Sequence, residues 1–356
     1  MKSTTDSLVF SRSGFKAANR VVLAAMTNKQ SHDDGTLSDV ELNWLTSRAD
    51  GGFGIITTCA AHVAKDGQGW AGELGIFSDM HLEGLSRLAV EIHDRGAGCW
   101  VQIFHGGVRA DQSVSGVQPW SASEHEGARE ATEEDIALVI TQFADAAVRA
   151  EQAGFDGVEI HGAHGYLFTQ FLSSTQNRRA DRWGGSLENR ARLLREVMRA
   201  IRTRVSRQFT VGVRLSPEDF GNAKGLDLDE SIQVARWLVE DGIDFLHLSL
   251  WRAARNTTKR PSEHSVTLFR AVLPEDVVLI VAGAVWTRDE AETLLAMGAD
   301  AIAIARAAIL NPDWPRRVAE PTWEPKRPPA TVDELLSRGL SDRFAGYMRA
   351  WKGFVQ

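Results

Sequence analysis

Short apolar runs alternate with longer segments of helical periodicity along this chain, and no other feature of the sequence limits the fold as strongly. Each run is continuously apolar, as a parallel sheet that is buried on both faces requires. We expect strands over residues 21–26, 53–59, 99–104, 157–160, 210–214, 245–250, 277–281 and 301–305. Helical periodicity covers residues 39–49, 81–95, 132–153, 186–205, 228–240 and 287–297. Alternating units of this kind over roughly 310 residues predict an α/β fold, the (β/α)₈ TIM barrel.

The segment beyond the last predicted strand has a different character. Residues 320–330, EPTWEPKRPPA, are rich in proline and charge, which favours an extended linker on the surface. Residues 332–356 are expected to form a helical arm that contains Phe344, Tyr347, Met348 and Trp351. We find no internal repeat and no boundary of a second domain. We therefore expect residues 1–356 to form one barrel domain with a C-terminal extension over about 320–356.

Three proton-donating or hydrogen-bonding side chains follow the fourth predicted strand: His161, His164 and Tyr166. The C-terminal ends of barrel strands carry the chemistry in this fold, so these residues are candidates for catalysis. If the H-x-x-H segment forms a helical turn, both rings point to one side and Tyr166 approaches from another angle. The alternatives are a metal site or loop histidines with satisfied hydrogen bonds. A metal is the weaker of these, because the nearest carboxylate, Glu159, is expected to face away from the site.

The same residues belong to a longer motif. Residues 161–167, HGAHGYL, precede FLSSTQNRRADRWGGSLENR at residues 171–190. This pattern resembles the old yellow enzyme family of FMN-dependent ene-reductases, and the resemblance extends from about residue 8 to residue 314. It implies an FMN-binding TIM barrel that reduces an activated C=C bond of an enone, enal or nitroalkene. His161 and His164 would bind the substrate oxygen, Tyr166 would supply the proton, and NADH or NADPH would reduce the flavin.

The loops after strands seven and eight contain the small residues that a phosphate site needs, since barrels often bind phosphate there through backbone N–H groups. These residues are Ala282, Gly283 and Ala305, and Arg306 follows directly. A glycine in this position is also compatible with an ordinary turn. The resemblance implies that these positions hold the FMN phosphate.

Two polar residues at strand ends are further candidates for cofactor binding. Arg214 follows apolar residues on strand five, and a buried cation there would stabilise negative charge on a reduced flavin. Its alternative is a salt bridge to a barrel carboxylate such as Glu159. Gln102, at the end of strand three, resembles the residue that contacts the flavin pyrimidine edge, and its alternative is a polar side chain within the barrel.

The remaining assignments follow from the resemblance. It implies flavin contacts for Ala25, Met26 and Thr27 after strand one and for Ala60 after strand two. The substrate side is expected to include Lys29, Trp70 and Trp251, although a lone tryptophan is also a common core residue. Lys29 stands where one branch of the family has an aromatic residue that shapes the substrate pocket, so the resemblance does not identify the substrate.

Composition excludes several kinds of partner. A net charge of −7 argues against nucleic acid and against an anionic membrane surface. The two cysteines, Cys59 and Cys99, are predicted to be buried free thiols in a reducing compartment, and the absence of an apolar leader or span predicts the cytoplasm. A small-molecule alkene is the expected partner, and a homo-oligomer is left open. Two other functions also stay open: amine oxidation or carbonyl desaturation on the same flavin barrel, and a flavin-free barrel lyase.

Overall fold

The computed structural model describes residues 2–356, and its centre is a closed barrel of eight parallel strands. Each strand pairs with the next along the chain, and the last pairs with the first at Val22 and Ala303, which closes the sheet. The TIM barrel prediction is therefore confirmed. In chain order the barrel strands are β1 (Val21–Leu23), β2 (Ile55–His62), β3 (Gly98–Phe104), β4 (Gly157–Gly162), β5 (Thr210–Leu215), β6 (Phe245–Ser249), β7 (Val278–Ala282) and β8 (Ala301–Ile304).

One helix follows each barrel strand on the outside. These are α1 (Asp39–Asp50), α2 (Leu82–His93), α3 (Glu133–Gln152), α4 (Leu187–Arg202), α5 (Leu228–Glu240), α6 (Ser265–Arg270), α7 (Arg288–Ala296) and α8 (Arg306–Leu310). The sequence did not predict α6 and α8, because five or six residues are too few to show helical periodicity. None of the helices within residues 2–356 combines the length and the apolar character needed to cross a bilayer.

The loops contain smaller elements. Short helical turns lie at Lys65–Gly67, Asp79–His81, Gly107–Arg109, Gln112–Ser115, Leu167–Leu172 and Trp314–Arg317. Short strands lie at Leu8–Val9, Lys16–Ala17, Leu74–Gly75, Trp120–Ser121 and Arg129–Glu130, and Leu74–Gly75 extends the barrel sheet beside β2. Because most of these elements lie in loops that follow β2, β3 and β4, they build the face of the barrel at which the strands end.

The interior of the barrel is divided into an apolar lower half and a polar upper half. In the lower half Trp100 and Phe245 stack with their ring centroids 4.5 Å apart, and Phe10 of the N-terminal hairpin packs on Trp100 from below. Gly212 provides the space for this stack, since a Cβ there would lie 2.4 Å from the Phe245 ring. Two strand positions above Trp100 the interior becomes polar at Gln102, which marks the floor of the site.

Two local predictions differ from the structure. The first strand ends at Leu23, not at residue 26, so Ala25 and Met26 belong to the loop above the barrel. The C-terminal arm is not one helix but two, Val332–Ser337 and Asp342–Met348. Gly339 separates them with a φ of 84°, a left-handed conformation that ends a helix. Cys59 and Cys99 are buried free thiols, as predicted.

Candidate active site

A cavity of about 540 Å³ opens at the C-terminal ends of the barrel strands. Every residue that the sequence predicts for the site lies on its wall, with the exception of Lys29. Those residues are Ala25, Met26, Thr27, Ala60, Trp70, Gln102, His161, His164, Tyr166, Arg214, Trp251, Ala282, Gly283, Ala305 and Arg306. The barrel thus brings together residues from the ends of all eight strands, around a cavity whose volume suits a small molecule.

The histidine pair does not form the helical turn that the spacing suggested. His161 belongs to β4, and His164 lies in the turn beyond it with a φ of 62°, a conformation that few residues other than glycine adopt. This turn brings Nδ1 of His164 within 3.2 Å of Nε2 of His161. Strain of this kind, about 1 kcal/mol or more, persists only where the surrounding contacts hold it in place.

The hydrogen bonds around the pair determine which nitrogen carries each proton. The backbone N–H of Ala163 donates to Nδ1 of His161, so the His161 proton lies on Nε2 and is donated to Nδ1 of His164. His164 therefore carries its proton on Nε2 and donates it to Oγ of Ser249 at 2.7 Å. Because Arg214 also donates to this oxygen, the Ser249 hydroxyl retains its own proton as a free donor.

Both histidines are neutral at physiological pH. Burial and the positive charge of Arg214 lower the pKa of His161 to about 3. The same two causes lower the pKa of His164 well below its usual value. Neutral rings at this position donate hydrogen bonds without carrying a charge into the cavity.

Tyr166 lies beside the pair, at the start of the Leu167–Leu172 helix. Its ring meets that of Phe104 edge-on at 4.6 Å and that of His161 at 5.0 Å, and the guanidinium of Arg109 lies 4.1 Å from its centroid. Burial raises the pKa of Tyr166 above its usual value, and the charge of Arg109 opposes that rise. The hydroxyl therefore keeps its proton at neutral pH and can serve as a general acid.

Arg214 enters the cavity from the end of β5. One of its nitrogens donates to the carbonyl of Ala25 at 3.3 Å and another to Ser249 at 3.1 Å, while Nε is buried without a partner. The alternative of a direct salt bridge to Glu159 is not realised, because the carboxylate oxygens of Glu159 are engaged by other side chains. Burial lowers the pKa of Arg214, and the charge of Glu159 opposes this. An unpartnered buried N–H at a cavity wall is a binding position for a ligand acceptor.

Glu159 lies beneath the cavity, where it links two barrel strands to β4. Its Oε1 accepts a hydrogen bond from Nε2 of Gln102, and its Oε2 accepts one from Nδ1 of His247, each at 2.6 Å. Burial raises the pKa of Glu159, but His247, Arg214 and Gln102 together outweigh that effect and lower it to about 2. Glu159 does not line the cavity, as the sequence predicted, but its carboxylate holds Gln102, which does.

The opposite wall is formed by the loops after β7 and β8. Gly283 is required there, since a Cβ would lie 2.6 Å from the carbonyl oxygen of Leu250 and 2.7 Å from the backbone nitrogen of Ala253. Arg306 follows β8, and its guanidinium lies 5.3 Å from the ring of Trp251 and 5.6 Å from that of Trp351. These loops therefore place closely packed backbone and a guanidinium group on the same wall, and both are features of anion-binding sites.

Lys29 lies apart from the other predicted residues. Its backbone has a φ of 58°, and its ammonium group lies 5.2 Å from the centroid of the Tyr347 ring. It is Tyr347, and not Lys29, that reaches the cavity wall. Trp251 does lie on the wall with 43% of its surface exposed, and Trp70 reaches the cavity from the loop after β2.

Several cavity residues were not assigned to the site from the sequence. The C-terminal arm contributes Phe344, Tyr347, Met348 and Trp351, whose spacing of three, one and three residues places them on one helical face. That spacing is the signal that would have identified them. The loops contribute Arg109, Phe220 and Asn222, and β6 contributes Ser249. Arg109 was recognisable as a cation in a long loop that follows a strand.

Comparisons with known proteins agree with this geometry. The family described as NADH:flavin oxidoreductase / NADH oxidase matches residues 14–323. The probable NADH-dependent flavin oxidoreductase YqiG of Bacillus subtilis is 35% identical over 323 residues, which are 87% of this chain and 86% of that protein. Among solved structures, the old yellow enzyme homologue from Zymomonas mobilis superposes with a TM-score of 0.83 at 28% identity, covering 96% of this chain and 99% of that one.

Morphinone reductase in complex with tetrahydroNAD is similar as well, with a TM-score of 0.80 at 25% identity over 96% of this chain and 97% of that one. The family match covers most of the chain, and the barrel, the histidine pair and the tyrosine lie where its fold carries chemistry. This chain therefore belongs to the NADH:flavin oxidoreductase / NADH oxidase family, whose structural neighbours include old yellow enzyme homologues.

Proposed function

We propose that this flavin oxidoreductase binds FMN and reduces an activated C=C bond, with Tyr166 as the proton donor. What supports this most is that two neutral histidines and a protonated tyrosine share one wall of a cavity, where the ring centroid of His161 lies 4.9 Å from that of His164 and 5.0 Å from that of Tyr166. Three neutral donors suit a substrate oxygen that gains negative charge and a neighbouring carbon that gains a proton.

The residues on the cavity wall fit FMN. The unpartnered Nε–H of Arg214 can donate to an acceptor on the flavin ring. The Nε2 of Gln102 is bound to Glu159, so the Oε1 of Gln102 is left to accept a hydrogen bond from a ring N–H. Gly283 and Arg306 would hold the phosphate, one by its close backbone and the other by its charge. When bound, FMN would supply the hydride, after its own reduction by NADH or NADPH.

His161 and His164 would hold the carbonyl or nitro oxygen of the substrate. In the free site the Nε2–H of His161 is donated to His164 and that of His164 to Ser249, so a substrate oxygen has to replace both acceptors. The exchange conserves the number of hydrogen bonds, and the low pKa of both rings keeps them uncharged while they donate. These bonds strengthen as negative charge develops on the oxygen, which lowers the barrier.

Tyr166 would deliver its phenolic proton to the carbon next to the activating group. Its raised pKa keeps the hydroxyl protonated until the carbanion forms, and the nearby guanidinium of Arg109 would stabilise the phenolate that remains. Rapid reprotonation from solvent would then restore the site.

The cofactor and the reaction are tested in two steps. Heat release followed by mass measurement identifies the bound flavin, and recovery of FAD or of no flavin would count against FMN. Rapid mixing of the reduced protein with 2-cyclohexenone then measures alkene reduction, while mixing of the oxidised protein with a secondary amine measures amine oxidation. Flavin reduction by the amine without reoxidation by the enone would favour the oxidative alternative.

A further inference from the structure

The cavity carries an unbalanced positive charge. Arg109, Arg214 and Arg306 lie on its wall, and no aspartate or glutamate among residues 2–356 does. This is notable because the chain as a whole has a net charge of −7. A concave site lined by charge of one sign concentrates ligands of the opposite sign.

Two of these arginines have a negative charge to balance them, one from a carboxylate of the protein and the other from the proposed cofactor. Arg214 lies above the carboxylate of Glu159, whose charge acts on it from beneath the cavity. Arg306 lies beside the loops that would hold the FMN phosphate, on the wall formed after β7 and β8. Arg109 has neither, since it projects from the loop after β3 on the substrate side.

The contacts of Arg109 hold its guanidinium in place but do not neutralise it. One nitrogen donates to the backbone carbonyl of His164 at 2.8 Å, and the group lies over the ring of Tyr166. Neither partner carries a formal charge. The remaining guanidinium nitrogens can pair with a carboxylate in the fixed geometry that arginine favours, and a half-buried cation gains from such a partner.

We propose that Arg109 binds a carboxylate of the alkene substrate, so the natural substrate class is an α,β-unsaturated carbonyl compound that also bears a carboxylate. This rests on the proposed function. One carbon of the C=C bond accepts the hydride and the other accepts the proton of Tyr166, so the product is the saturated acid. The carboxylate itself is unchanged, and its ion pair with Arg109 orients the alkene between the histidine pair and Tyr166.

The test compares (E)-4-oxo-2-pentenoate with its methyl ester in the purified holoenzyme, in wild type and in Arg109→Leu. Because the two compounds differ in intrinsic reactivity, the informative quantity is how much the acid-to-ester ratio of kcat/KM changes on substitution. We expect Arg109→Leu to lower this ratio by about 10–100-fold, the usual worth of a hydrogen bond to a charged group. Arg109→Lys, which keeps the charge, should retain part of the preference.

A binding measurement that requires no turnover accompanies the kinetics. Titration of the oxidised protein with 4-oxopentanoate, followed by the flavin absorbance, should give a dissociation constant that Arg109→Leu raises by a similar factor. Methyl 4-oxopentanoate should bind both proteins alike. Arg252→Leu removes an exposed arginine that does not line the cavity and should leave the ratio unchanged.

Each other outcome overturns the proposal. Equal losses on acid and ester would mean that Arg109 acts only through Tyr166. Slower flavin reduction by NADPH with an unchanged acid-to-ester ratio would mean that Arg109 binds a coenzyme phosphate. If the wild-type protein reduces 2-cyclohexenone but Arg109→Leu leaves the acid-to-ester ratio of kcat/KM unchanged, this inference alone is refuted. A protein that reduces neither 2-cyclohexenone nor the acid refutes the proposed function, and this inference with it.

Discussion

The side-chain amide of Gln102, at the floor of the cavity, donates a hydrogen bond from Nε2 to Oε1 of Glu159 at 2.6 Å. Since a carboxylate only accepts hydrogen bonds, this contact determines which way the amide faces. The Oε1 of Gln102 is left for the cavity as an acceptor, which suits a ring N–H of a bound flavin. Glu159 is therefore a positioning residue, even though it does not line the site itself.

Glu159→Gln should raise the midpoint potential of the bound flavin and weaken its binding. The substitution removes the negative charge that balances Arg214, so the arginine would stabilise a negatively charged reduced flavin more strongly. It also permits either orientation of the Gln102 amide. Spectroelectrochemical titration and flavin dissociation constants measure both effects.

The matched control is Glu73→Gln, which replaces another fully buried acid away from the cavity wall. Burial raises the pKa of Glu73 well above its usual value, which reduces the charge that the substitution removes. The midpoint potential of the flavin should therefore change little in Glu73→Gln. An unaltered potential in Glu159→Gln would show that this carboxylate does not act on the flavin.

Tyr166→Phe should slow the reoxidation of reduced protein by an enone by roughly 10²–10⁴-fold, the usual contribution of a positioned general acid. Reduction of the flavin by nicotinamide requires no proton from this residue and should change little. Tyr347→Phe is the control, because Tyr347 is the only other tyrosine of the chain and also lies on the cavity wall. A large effect of Tyr347→Phe, with none of Tyr166→Phe, would mean that Tyr347 of the C-terminal arm donates the proton.

The rate of the reoxidation step should be independent of pH from roughly 5 to 9. The pKa of His161 is lowered to about 3, so the ring is neutral throughout this range and gains a proton only in stronger acid. The pKa of Tyr166 is raised, so its hydroxyl stays protonated beyond the alkaline end. Rapid mixing across this range, with the flavin reduced beforehand, provides the profile. A rate that falls on one side of pH 7 would reveal a histidine or tyrosine that titrates within the range.

Arg306→Ala should yield protein that retains little flavin, because the substitution removes the cation beside the loop at Gly283. Arg252→Ala is the comparison, since Arg252 is an exposed neighbour whose charge acts on Arg306 without reaching the cavity. The ratio of flavin absorbance to protein absorbance after gel filtration measures occupancy. Equal occupancy in the two variants would place the phosphate elsewhere.

Gly212→Ala should destabilise the fold by about 1–3 kcal/mol, since the new methyl group would force the Phe245 ring out of its stack on Trp100. Gly346→Ala provides the contrast, because a Cβ at Gly346, in the helix Asp342–Met348, meets nothing within 4 Å. That variant should be stabilised by about 0.5–1 kcal/mol. Urea unfolding of the two proteins under one set of conditions decides whether the barrel interior is as tightly filled as this geometry requires.

The amino-acid sequence by itself determined the barrel and most of its catalytic face. Continuous apolar runs can only be buried on both sides, and a parallel sheet places the ends of all such runs at one rim. His161, Arg214 and Arg306 each follow or end such a run, so their presence at a common site followed from local pattern. Thr132 caps the N-terminus of α3, and Ser186 caps that of α4. Each cap involves residues only three positions apart, so these contacts too followed from local sequence.

Only the tertiary structure decided the relationships between side chains that are distant in sequence. The bond from Gln102 to Glu159 joins residues 57 positions apart, and that from Arg214 to Ala25 joins residues 189 positions apart. Whether such partners meet depends on the closure and register of the whole barrel, which no local periodicity encodes. The same holds for Tyr347 and Trp351, because the path of the C-terminal arm is set by where its apolar face can be buried. The left-handed turn at His164 is likewise imposed by its surroundings, since a histidine alone would not adopt it.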